Sequence, residues 1–121
     1  PRPEDLGLPQ QVALFDWLRT ETGMRAPVID AHDVLTNPRG VLRALCEKLG
    51  VPFTEAMLQW KPGPRPEDGV WAPHWYANVE RSTGFGAYEP KNEPVPAHLR
   101  GVHEECQALY DVLVEHRITA H

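Results

Sequence analysis

Residues 28–53 read Val-Ile-Asp-Ala-His-Asp-Val-Leu-Thr-Asn-Pro-Arg-Gly-Val-Leu-Arg-Ala-Leu-Cys-Glu-Lys-Leu-Gly-Val-Pro-Phe. Pro27-Val28-Ile29-Asp30-Ala31 is short, apolar and β-branched, which predicts a buried strand near residues 28–31. Asn37 can cap a helix, and Pro38 suits its first position, where a missing N–H costs nothing. Val41, Leu42, Leu45, Cys46 and Leu49 then form one apolar stripe, and Gly50 can close the helix. Thr54 is placed to cap a shorter helix, with Phe53 and Leu58 spaced as a hydrophobic staple.

Working outward, Leu8, Val12, Phe15 and Leu18 recur at helical spacing after Pro9, and Gly23 can end that helix. Lys61-Pro62-Gly63-Pro64-Arg65-Pro66 cannot be regular structure, because alternate prolines remove donors and fix φ. Trp71, Trp75 and Val79 lie four apart and predict a helix over 68–82. Residues 83–96, with three prolines and two glycines, read as loop. Leu99, Val102, Cys106, Leu109, Tyr110 and Leu113 predict a long helix over 97–116. The expected architecture is mainly α with one short strand, in a single segment spanning 1–121. Because one strand cannot make a sheet, it calls for partners that these residues do not supply.

The chain has 121 residues, and its net charge of -5 argues against nucleic-acid binding by bulk electrostatics. No apolar run approaches the roughly 18 residues of a membrane span, and no signal peptide is apparent. Cys46 and Cys106 lack metal-ligand spacing, lie on apolar stripes, and read as reduced thiols in a cytoplasmic protein. Asp30, His32 and Asp33 have no nearby His or Cys cluster to complete a metal site. His74 has no nameable nucleophile or orienting partner. Trp71, Trp75 and Tyr76 could line a pocket, but a stripe at helical spacing is more often core. None of the three lysines, Lys48, Lys61 and Lys91, is placed convincingly for a Schiff base.

Taken together, residues 28–53, Trp60-Lys61-Pro62-Gly63-Pro64, Glu67-Asp68-Gly69-Val70-Trp71, His74-Trp75-Tyr76 and Ser82-Thr83-Gly84-Phe85 resemble the C-terminal half of bacterial sulfotransferase-family proteins. The resemblance implies the C-terminal portion of a P-loop-type α/β fold. It also implies sulfuryl transfer from PAPS, the phosphosulfate donor, to an acceptor. In that family the P-loop, the general base and an Arg/Ser pair for the 3′-phosphate belong to the N-terminal half. The 121 residues contain no Gly-x-x-x-x-Gly-Lys-(Ser/Thr) segment. The resemblance is therefore to a portion lacking the P-loop half; it assigns this chain no catalytic residue and implies a helix-capping and turn role for Asp33.

One donor-site element of the family has a counterpart here: Lys61, Gly63, Arg65, Gly69 and Trp71 resemble the late loop that closes over the 3′-phosphate. A Gly-Pro loop lets amides approach an anion, and Lys or Arg neutralises it. The family loop is usually richer in basic residues and continues with Lys after the Trp, where Ala72-Pro73 stands here. A Pro-rich surface loop with solvated charges is the other reading. For partners, the lone strand and first helix predict an apolar face, involving some of Val12, Phe15, Val28 and Ile29. That face would take the absent half or a second copy. A free-standing helical interaction module is the alternative to the half-enzyme.

Overall fold

The computed structural model describes residues 1–120. Its α-helices are α1 (Leu8–Thr22), α2 (Ala31–Thr36), α3 (Pro38–Leu49), α4 (Ala72–Trp75), α5 (Ala77–Arg81) and α6 (Arg100–Val114). Single 3-10 turns at Pro3–Leu6, Glu55–Met57, Pro66–Asp68 and Ala97–Leu99 punctuate them. The ends of the long helices follow local chemistry. The Asn37 side chain accepts the Gly40 N–H at 3.0 Å, so it caps α3, and Pro38 occupies the first turn. Gly23 and Gly50 end α1 and α3 with φ of 72° and 70°, the left-handed conformation that favours glycine. Thr54 precedes its 3-10 turn without a side-chain capping bond.

Helices α1 and α6 pack on each other. Phe15, Cys106 and Leu113 are buried there, and the His116 ring lies 4.8 Å from the Phe15 ring. Helix α3 buries Val41 and Cys46, whose Sγ is 3.8 Å from Met57 Sδ. Both cysteines are free and buried. Ile118, in the segment after α6, is only 4% exposed and belongs to the same core.

The strand expected at residues 28–31 is not formed, and there is no strand among the described residues. Val28 makes one isolated parallel bridge with Arg117, through Ile118 N–H donating to Val28 O at 2.8 Å. Two causes are visible. Only the short tail after α6 runs beside Val28, so no ladder can extend. The Asp30 carboxylate accepts the His32 N–H at 2.8 Å and turns the chain into α2 at Ala31. Asp30 is thus the capping residue, in place of Asp33.

The single helix expected over 68–82 is also corrected. It divides into α4 and α5 at Tyr76, whose φ and ψ of -104° and 14° leave the helical region. Trp71, Trp75 and Val79 are exposed and do not form core, whereas Ala72 is buried. No helix is long and apolar enough to cross a membrane among the described residues.

Candidate functional site

The loop from Lys61 to Trp71 leaves from a clamp between two chain segments. Gln59 and Gly84 form an isolated antiparallel bridge, and the Trp60 N–H donates to Thr83 O at 3.0 Å. The Trp60 indole N–H donates to Ser82 Oγ at 2.8 Å, and that hydroxyl donates to Val79 O at 2.6 Å. Phe85 meets the Trp60 ring edge-on, with centroids 5.5 Å apart. Gly84 lies close against Leu58, since a Cβ there would stand 3.0 Å from Leu58 O.

Within the loop, Arg65 Nη2 donates to Lys61 O at 2.9 Å, so the guanidinium folds back over the Lys61 backbone. The Arg65 N–H donates to Asp68 Oδ2 at 2.9 Å, and Asp68 N–H donates to Arg65 O at 3.1 Å. This pair fixes the turn at Pro66–Asp68. Gly63 has φ of 111° and Gly69 has φ of 77°. The Gly63 N–H donates to Glu80 O at 2.6 Å, tying the loop to α5. Trp71 O accepts the N–H groups of His74 and Trp75 at 3.0 and 3.1 Å, starting α4.

The five residues singled out in the sequence therefore lie along one loop. Lys61 and Arg65 are exposed, linked through the Arg65–Lys61 hydrogen bond, and outside any ion pair among the described residues. Their charges are available to an anion, with the Asp68 carboxylate as the opposing neighbour. The Gly63 amide is already committed within the protein. The Trp71 ring is 65% exposed, and no hydrogen bond or ring contact joins it to Lys61 or Arg65. His74 is exposed and its side chain makes no hydrogen bond among the described residues.

A second polar cluster joins α2 to the end of α6. The Tyr110 hydroxyl donates to Asp30 Oδ2, and Arg117 Nε donates to Asp33 Oδ2 at 2.9 Å. His32 Nδ1 lies 3.5 Å from Asp33 Oδ1, and its ring packs edge-to-face on Tyr88 at 4.3 Å. Hydrogen bonding to Asp30 holds the Tyr110 phenol above its ordinary range, and loss of hydration adds to this. Both carboxylates are engaged by α6 and the residue groups after it. Tyr110 and Arg117 were not singled out for this role in the sequence, and no spacing signal ties them to positions about 80 residues earlier.

A family model described as a sulfotransferase domain matches residues 3–110. The chain belongs to the sulfotransferase-domain family. It is 38% identical over 109 residues, 90% of its length, to branched-chain-amino-acid aminotransferase-like protein 2 of Arabidopsis thaliana. It is 40% identical over 112 residues, 93% of its length, to branched-chain-amino-acid aminotransferase-like protein 1 of the same plant. These matches span 19% and 20% of those two proteins, so the chain covers about a fifth of each relative. No solved structure matches the chain.

Proposed function

We propose that this chain contributes the late donor-site loop of a protein that transfers a sulfuryl group from PAPS to an acceptor. In this reading Lys61 and Arg65 face the 3′-phosphate, Gly63 and Gly69 shape the loop, and Trp71 flanks it. PAPS would supply the sulfuryl group, and the chain's own part is to bind and orient the donor. The donor set suits an anion in its side chains: an unpaired ammonium and a guanidinium tied to the same stretch of backbone. The backbone suits it less, because the Gly63 amide is used by Glu80. Binding would therefore rest on the two cations. The P-loop-type fold, the base and a cytoplasmic location belong to this same proposal. By itself the chain would be inactive, since none of its residues is assigned a catalytic role.

The observation that carries the reading is the sulfotransferase-domain match over residues 3–110. The aminotransferase in the relatives' names is a property of those names, and four-fifths of each relative lies outside the match. In the intact protein, replacing both Lys61 and Arg65 with Ala should weaken adenosine 3′,5′-bisphosphate binding about tenfold or more. Each charge-assisted bond is worth roughly 1.5–3 kcal/mol, which sets that scale. Unchanged affinity would remove the assignment.

A second reading, the helical interaction module, is favoured by one observation. Leu14 and Ile29 are exposed and line an open apolar groove together with Phe15, Ala26, Pro27 and Val28. Of the four residues expected on that face, Phe15 is buried, Val12 and Val28 are half-buried, and Ile29 is exposed. The absent half, or a second copy, would cover it. Sedimentation at micromolar concentration separates the cases: concentration-dependent association supports self-pairing, and a monomer argues against it.

A further inference from the structure

Away from the Lys61–Trp71 loop, Arg25, Lys48, His116 and Arg117 line one open pocket of about 230 Å³, with Ile118 among its walls. Glu115 is the single acidic side chain lining it. This convergence occurs in a protein of net charge -5, so it is not a reflection of overall composition. The four residues come from three separate places: the segment after α1, the last turn of α3 and the segment after α6.

A simpler account covers part of the cluster. Cations near helix C-termini are favourable because the macrodipole is negative there. Lys48 lies in the last turn of α3, and Arg117 Nη1 donates to Val114 O at 3.1 Å. Arg117 Nε is also committed to Asp33. Arg25 stands two residues beyond Gly23, the C-cap of α1, and makes no ion pair among the described residues. Nor are the cations required to satisfy the terminal carbonyls. Gly23 N–H already donates to Arg19 O at 2.9 Å, and Val51 N–H donates to Cys46 O at 3.0 Å. Arg25 and Lys48 thus line the same space, and neither enters an ion pair among the described residues; the His116 ring lines it with them.

We infer that this pocket binds a tetrahedral oxyanion, a phosphate or sulfate group, held chiefly by Arg25 and Lys48. Arg offers a planar fork to such an anion and Lys a point charge, while Arg117 is held in place by Asp33. The site is distinct from the loop proposed for the sulfuryl donor, and it does not depend on that proposal.

The test is an amide chemical-shift titration of the protein with sodium sulfate, against sodium chloride of equal ionic strength. Saturable shifts at Arg25, Ala26, Arg117 and Ile118 with sulfate, and none with chloride, are expected. Arg25→Gln with Lys48→Gln should weaken the apparent affinity at least fivefold, and Lys48→Arg should retain it. Lys61→Gln with Arg65→Gln should leave it unchanged, so failure here and failure of the donor-loop reading are told apart. Inorganic phosphate and adenosine 3′,5′-bisphosphate form the second arm. Tighter nucleotide binding at the same amides supports the site and assigns it to a nucleotide phosphate; equal affinity supports it and assigns it to the free anion. Shifts that do not saturate, that centre on residues 61–71, or that survive Arg25→Gln with Lys48→Gln overturn the inference.

Discussion

Gly40→Ala sets two local effects against each other, and the structure decides the sign. Gly40 lies in the first turn of α3, and replacing a helical glycine with alanine ordinarily stabilises by about 0.5–1 kcal/mol. Here a Cβ would overlap Asn37 Nδ2, stand 2.9 Å from Asn37 Cγ and stand 3.0 Å from Ala120 Cβ. Asn37 is the residue whose side chain accepts the Gly40 N–H. To make room it must leave the position from which it caps α3. Losing a cap costs about 0.5–2 kcal/mol, and the Ala120 contact must loosen as well. The expected net effect is destabilisation by about 0.5–1.5 kcal/mol, opposite in sign to propensity alone. Urea unfolding at 25 °C, followed by far-UV circular dichroism, measures it. The same substitution in an Asn37→Ala background has no cap left to displace. There it should be neutral or stabilising, giving a coupling energy of about 1 kcal/mol. Stabilisation by Gly40→Ala in the unaltered protein, or additivity of the two changes, would refute the reasoning.

Three further outcomes follow from other contacts. Ile118→Ala should destabilise by about 2–4 kcal/mol, because a residue only 4% exposed is cut back beside the single Val28 bridge; a change below about 1 kcal/mol in a denaturant titration would show that the tail is dispensable. Trp60→Phe should cost about 1 kcal/mol through the lost indole bond to Ser82 and weaken hydrogen-exchange protection of the residue-60 amide, which donates to Thr83 O. Tyr110 should ionise late in an ultraviolet titration, since Asp30 holds its proton in the folded state. A folded value raised above the unfolded one gives a contribution fully present below about pH 10 and lost as the pH climbs through the folded value. The stability gap between the unaltered protein and Tyr110→Phe should thus be flat near neutral pH and narrow above about pH 10; a gap that widens there contradicts the assignment.

What could be read in advance was what a few neighbouring residues decide. Asn37, Pro38 and Gly50 bracket α3 because capping, ring geometry and a left-handed turn are all settled within four residues. The same holds for Gly23 at the end of α1. Val28–Ala31 failed for the opposite reason. Its composition favours a strand, but a strand exists only against a partner, and here a single residue, Arg117, bridges to Val28. Ile118 was missed because it stands alone between Arg117 and Thr119, with no period to mark it as core. Trp71, Trp75 and Val79 show the limit of periodicity itself. Spacing of four says that residues share a face, and it is silent on whether anything covers that face. The Asp33–Arg117 pair joins positions 84 apart, which no local pattern encodes.

The candidate loop combines both situations. Lys61, Gly63, Arg65, Gly69 and Trp71 are close in sequence, so the chain alone could place them on one loop. Whether their backbone amides face outward depends on α5, and there the Glu80 carbonyl takes the Gly63 N–H. The reason for glycine at position 63 changes with that fact. An added Cβ would meet no protein atom within 4 Å, so close approach of a neighbouring chain segment does not require glycine there. What remains is φ of 111°, which other residues adopt only with strain. Gly63 therefore sets the course of the loop in which the Arg65 guanidinium turns back onto the Lys61 carbonyl. With the Gly63 amide taken up by Glu80, the exposed Lys61 and Arg65 side chains are the cations this loop offers to an anion.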